Sequence, residues 1–143
     1  MTEKVRVVAR IRPLPSSDSA LAVVPLDERR VCVGNRRVYH VDRVFGIADS
    51  TELIFYESVV GLVDRFLAGY NATVLAYGPT GTGKTYTMAG LTPLVLAYLL
   101  ERMGGMSRLS FQCIEVYGET LRDLLTGDPP ASAKHLQLHE GDG

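Results

Sequence analysis

The sequence predicts an α/β fold, a mixed central sheet flanked by helices, and three observations carry that expectation. Short apolar runs bounded by proline and glycine alternate with longer stretches of helical periodicity. One run, Thr73-Val74-Leu75-Ala76-Tyr77, is apolar without alternation, the pattern of a strand covered on both faces. A glycine-rich segment follows it directly, and helix-forming residues follow that.

Taken in order, Val5 to Arg12 alternates apolar and basic residues and reads as a strand with one buried face, stopped by Pro13 and Pro15. Ser16 to Ser19 is a polar loop. Val31-Cys32-Val33 and Val38-Tyr39-His40-Val41 form a hairpin about Gly34 to Arg36. Asp49-Ser50-Thr51-Glu52 has capping-box spacing, with Asp49 as the cap. Phe55, Val59, Leu62, Val63 and Phe66 then share one helical face, and Gly69 closes that helix. A second helix is expected to begin at Gly83 to Thr85, and a further one at Thr92-Pro93, ending at Gly104-Gly105. Leu109 to Tyr117 reads as a strand, Leu121 to Leu125 as a helical turn or two, and Leu136 to His139 as a last strand.

A chain of 143 residues suits one domain, and no linker or second domain is expected within it. Its apolar share of 46% and charged share of 22% are those of an ordinary globular protein. With a net charge of −1 there is no global basic field to draw it to nucleic acid or an anionic membrane. Cys32 and Cys113 stand apart in apolar runs, without metal spacing, and read as buried inert thiols of a reducing compartment. Met1 to Arg6 is charged and lacks the pattern of a signal peptide, and no apolar run reaches the ~20 residues that span a bilayer. A cytoplasmic or cytoskeletal setting follows as the expectation. His135 and His139 share a strand face but have no third ligand in sight, so they read as a solvated pair.

Gly78-Pro79-Thr80-Gly81-Thr82-Gly83-Lys84-Thr85 carries the chemistry, matching G-x-x-x-x-G-K-[ST] in full. Gly78, Gly81 and Gly83 permit positive φ, so that successive N–H groups converge on phosphate oxygens. The following helix adds its unpaired N–H donors and the positive end of its dipole. In such a loop Lys84 bridges the β- and γ-phosphates, and the Thr85 hydroxyl is a ligand for Mg²⁺. ATP and Mg²⁺ are therefore the expected cofactors, with Lys84 and Thr85 as the catalytic candidates and Thr85 as the metal ligand. Only three of the fifteen basic residues are lysines, which makes Lys84 in this loop the more telling.

The surroundings of the loop resemble those of the kinesin motor domain. Gly69-Tyr70-Asn71-Ala72-Thr73-Val74-Leu75-Ala76-Tyr77-Gly78, with Tyr86-Thr87-Met88 after the loop, is similar to the kinesin sequence almost residue for residue. Arg10-Ile11-Arg12-Pro13-Leu14 resembles the kinesin adenine-site motif R-x-R-P. Asp42-Arg43-Val44-Phe45 resembles the "FDxVF" stretch, and Glu115-Val116-Tyr117 with Leu121 to Leu125 resembles "EIYNExxRDLL". The likeness runs from about Lys4 to Glu140. It implies a P-loop NTPase fold of the kinesin type, present as the N-terminal portion, residues 1–143, of a motor domain. It also implies an adenine pocket of Arg10, Pro13 and Tyr86, with Arg12 beside it, and contacts to nucleotide from Gly78, Pro79, Thr80, Gly81, Thr82, Gly83, Lys84, Thr85 and Tyr86. A guanidinium, a proline face and an aromatic ring suit a purine through stacking and cation–π contact. Taken alone, Arg10 and Arg12 would read as solvated arginines of a strand face.

The activity implied is that of an ATPase coupling hydrolysis to movement along microtubules, with tubulin as partner and oligomeric state open. An alternative is a truncated nucleotide-binding module without ATPase or motor activity, or a structural remnant. The serine-rich N-x-x-S-S-R and the D-x-x-G segments of the family's switches do not occur in the 143 residues. The isolated chain is accordingly expected to show only trace ATPase and poor or self-associating folding. Two smaller departures are Pro79, where kinesins usually carry Gln, and Met88-Ala89-Gly90 running into Leu91-Thr92-Pro93 without the usual surface loop. Glu115, Glu119 and Asp123 read as structural acids. Arg29-Arg30 and Arg36-Arg37 read as solvated hairpin charges rather than a tubulin contact.

Overall fold

The computed structural model describes residues 5–13, 23–34, 37–105, 108–118 and 120–126. They fall into two compact units, Met1–Met103 and Gly104–Gly143, which are taken separately. In the first unit the strands are β1 (Val8–Arg10), β2 (Val23–Pro25), β3 (Arg30–Val33), β4 (Arg37–His40) and β5 (Arg43–Phe45). Its helices are α1 (Thr51–Ile54), a π-helical turn Phe55–Val59, α2 (Val60–Leu67) and α3 (Lys84–Arg102). The second unit contributes β6 (Ile114–Tyr117) and β7 (Thr120–Asp123), an antiparallel pair.

β1 and β5 pair in parallel, with Val8 opposite Arg43, Ala9 opposite Val44 and Arg10 opposite Phe45. Side chains alternate along a strand, so Val8 and Arg10 share one face and Ala9 the other. On the Val8 side, Phe45, Ile54, Phe55, Val59, Val63, Leu91 and Leu99 form the main core, with Phe45 wholly buried. On the Ala9 side, Ile11, Val31 and Val44 form a smaller core beneath the antiparallel sheet β2-β3-β4. Arg10 therefore points along the helix-bearing face, beside the main core.

The first helical segment begins one residue later than the capping-box reading. Ser50 is the cap, its Oγ accepting from Leu53 N at 3.2 Å, an interaction typically worth ~1 kcal/mol. Asp49 instead ties down the preceding turn, its carboxylate accepting from Gly46 N at 2.7 Å. The chain then widens into a π turn in which Val60 N donates to Phe55 O. Phe55, Val59 and Val63 are buried on its inner face as their spacing predicts, whereas Phe66 is 46% exposed.

α3 corrects the expected break at Thr92-Pro93, because one helix of 19 residues runs through it. Proline tolerates helical φ, and its missing N–H removes only the bond that Ala89 O would accept. Thr92 turns its hydroxyl back onto Met88 O at 2.8 Å. Gly90 lets this helix pass close to α1: a Cβ there would fall 2.9 Å from Thr51 Cγ2.

Three further readings change. Thr73 to Tyr77 joins no ladder, and Leu75 and Tyr77 are 83% and 95% exposed. Composition marks a strand that is ready to be covered, but hydrogen-bonded neighbours make it one, and among the described residues that sheet is only β1 and β5. Leu121 to Leu125 is not helical: Leu121 to Asp123 lie in β7, with Val116 opposite Leu121. Strand pairing to β6 outweighs the weak helical preference of so short a segment. Cys32 and Cys113 are free but half-buried rather than enclosed. Ser16 to Ser19, Arg36, Glu119, His135 and Leu136 to His139 lie outside the described residues.

Candidate functional site

Tyr77 leads directly into the glycine loop, and α3 leaves it at Lys84, so the loop lies between an extended segment and a helix N-terminus. Gly78, Gly81 and Gly83 have φ of 154°, 79° and 98°, and no residue other than glycine has positive φ among those described. Gly78 is constrained twice, because a Cβ there would lie 2.8 Å from Thr82 Oγ1. Thr82 closes the turn, its hydroxyl donating to Pro79 O at 2.8 Å. Pro79 thus supplies a carbonyl to the turn while its own missing N–H costs nothing there.

Lys84 folds back over the loop. Its ammonium donates to Gly78 O at 2.8 Å and to Pro79 O at 2.9 Å. An ammonium is a compact point charge with three donors, so the same position that satisfies two carbonyls can turn to phosphate oxygens. Thr85, next on the helix, is exposed, as are Thr80, Gly81 and Thr82. Gly83 occupies the helix cap in left-handed conformation with no side chain to obstruct the first-turn N–H groups.

The strand residues named from the sequence converge on this loop. Arg12 donates from its guanidinium to Gly81 O, tying the end of β1 to the loop. Arg10 lies over Tyr86, with Cζ 5.2 Å from the ring centroid. Its two terminal nitrogens donate to Thr87 Oγ1 and Thr51 Oγ1, each at 3.0 Å. Pro13 follows Arg12 on the exposed end of the same segment. Sequence reasoning missed Thr51 and Thr87. Thr87 sits one residue beyond Tyr86, inside the Tyr86-Thr87-Met88 motif. Thr51 is 41 residues from its partner and carries no local signal.

The other candidates are accounted for locally. Glu115 pairs with Arg122 across β6 and β7 at 2.9 Å, and Asp123 accepts from Leu125 N at 2.9 Å. A hollow of about 380 Å³ is lined by Asp27, Glu28, Arg29, Arg30 and His40. There Arg30 pairs with Asp27 at 2.6 Å, and Arg29 N donates to the same carboxylate, holding it below its ordinary range. These contacts close the turn between β2 and β3 on itself. No group of three His, Cys, Asp or Glu side chains suited to a metal arises among the described residues. Nor is any described helix long and apolar enough to cross a membrane.

Comparison with known proteins follows the same direction. The kinesin motor domain family model matches residues 22–143. Kinesin-like protein kif7 of Danio rerio is 34% identical over 158 residues, covering 95% of this chain and 12% of the relative. Chromosome-associated kinesin KIF4 of Mus musculus is 36% identical, covering 85% of this chain and 12% of its own length. A solved fast kinesin, described for its ATPase mechanism and interactions with microtubules, superposes with a TM-score of 0.75 at 28% identity. That match covers 96% of this chain and 44% of the solved one. The chain thus spans about an eighth of the length of these curated relatives.

Proposed function

This chain belongs to the kinesin motor-domain family, and on that footing we propose that residues 1–143 are the nucleotide-binding portion of an ATP-driven microtubule motor. The observation that supports it best is the loop Gly78 to Thr85, with three positive-φ glycines, a lysine folded over it and a helix N-terminus behind it. In this reading the loop N–H groups and Lys84 hold the β- and γ-phosphates, and Thr85 offers its hydroxyl to Mg²⁺. Magnesium, when bound, neutralises charge building on the phosphate oxygens. Arg12 anchors the loop from β1, and Arg10, Pro13 and Tyr86 border the space for the base. Coupling of hydrolysis to movement on tubulin, in a cytoplasmic, cytoskeletal setting, belongs to the whole protein as we read it.

The test is titration of a fluorescent ATP analogue against the 143-residue chain and its Lys84→Ala variant. We expect the variant to bind at least tenfold more weakly, a loss of ~1.4 kcal/mol or more. Equal affinities would remove the loop from the account.

A further inference from the structure

We propose that the outer edge of β4 takes up an extended acidic segment of another protein as a fourth, antiparallel strand of the β2-β3-β4 sheet. Register and hydrogen bonding together define that edge. Val41 N donates to Arg29 O at 2.9 Å, which makes Arg29 and Val41 a hydrogen-bonded pair of the antiparallel ladder. Such pairs alternate, so Tyr39 bonds to Val31 and Arg37 to Val33. On the other side of β3, Leu26 N donates to Arg30 O at 2.9 Å, so Arg30 and Cys32 face β2, as the same alternation requires. The N–H and C=O groups of Val38 and His40 are left pointing away from β3, with no backbone partner among the described residues. All four residues of β4 are exposed.

The side chains at this edge define the chemistry of the strand that fits. They alternate, so Arg37 and Tyr39 share one face of the sheet and Val38 and His40 the other. Val38 ends a row that runs from Val24 through Cys32, and Val24 and Val38 are 40% and 48% exposed. An apolar residue opposite Val38 lengthens that row. Arg30 is neutralised by Asp27, whereas Arg37 has no ion pair among the described residues, and β4 has no acid of its own. A carboxylate next along the incoming strand faces Arg37, a cross-strand pair of opposite charge. Charged residues on an edge repel stray strands, but a single uncompensated sign repels only its own and selects the other. Main-chain bonds then supply affinity, and the alternating side chains supply specificity.

The probe is a fluorescein-labelled peptide, Glu-Val-Glu-Val-Glu with blocked ends. It is titrated by anisotropy against the 143-residue chain, in a sample that circular dichroism and sizing show to be folded and monomeric. With its glutamates on the Arg37 face, its valine N–H groups point at β4. N-methylation of both valines should therefore weaken binding at least about tenfold, while N-methylation of the central glutamate should leave it unchanged. The corresponding Lys-Val-Lys-Val-Lys peptide should not bind. On the protein side, Val38→Pro removes one outward N–H and no bond to β3, and Arg37→Glu reverses the charge. Each should cost the glutamate peptide about tenfold, and Arg37→Glu should take up the lysine peptide instead. Should Val38→Pro not fold, the two methylated peptides decide the question on the parent chain alone. Equal binding of those two peptides would overturn the proposal. So would binding of the lysine peptide by the parent, or no binding of the glutamate peptide.

Discussion

Lys84 shows why single residues here can be named from sequence while their partners cannot. The motif predicts an ammonium poised for phosphate, and the structure finds it on Gly78 O and Pro79 O, six and five residues away. Both partners are local, so the spacing that defines the loop also defines the contact. Arg10 differs, because its threonines are 41 and 77 residues distant, and no pattern along the chain links them. The residue-scale prediction concerns Thr85, which is exposed next to Lys84 at the first turn of α3. If its hydroxyl ligates Mg²⁺, Thr85→Ala should bind ATP in magnesium only as tightly as the parent does in EDTA, and Thr85→Ser should restore the difference. Calorimetry with and without chelator measures this. A magnesium effect of the same size in Thr85→Ala would assign the ion elsewhere.

At the scale of elements, sequence reasoning succeeded where one chain segment supplies its own reasons. The apolar spacing of Phe55, Val59 and Val63 foretold the buried helical face, and Gly34 marked the β3–β4 turn. It failed where a neighbour decides. Thr73 to Tyr77 has strand composition but no ladder, and Thr92-Pro93 looks like a start but sits inside a helix already begun at Lys84. The π turn was equally illegible. It turns Glu57 outward to Arg43, whose guanidinium donates to the carboxylate at 2.7 Å, while Glu57 O accepts from Arg6. That hydrogen bond holds the Glu57 carboxyl below its ordinary value of 4.5. The folded chain then binds fewer protons than the unfolded one at acid pH, so the pair's contribution is complete above about 4.5 and fades as pH falls through the folded value. Glu57→Gln should therefore lower the thermal midpoint at pH 7, modestly because the pair is partly solvated, and the gap from the parent should narrow as pH falls below 4.5. A gap independent of pH would mean that packing of the π turn, not the charge, is responsible.

For the molecule as a whole, fold class and family were legible because they rest on order: strand, glycine loop, helix, with kinesin-like residues on either side. The family match over residues 22–143 and the superposition on a solved kinesin bear this out. How far the exposed face at Leu75 and Tyr77 is covered was not legible, because burial belongs to the assembled sheet and not to a five-residue run. The central claim is that this chain holds a nucleotide by its phosphates. Equilibrium dialysis of radiolabelled ATP in magnesium against the 143-residue chain, with inorganic triphosphate as competitor, tests it most directly. The account predicts one nucleotide per chain, displaced fully by triphosphate. Bound nucleotide that triphosphate cannot displace, or no binding by a sample that circular dichroism and sizing show to be folded and monomeric, would contradict it.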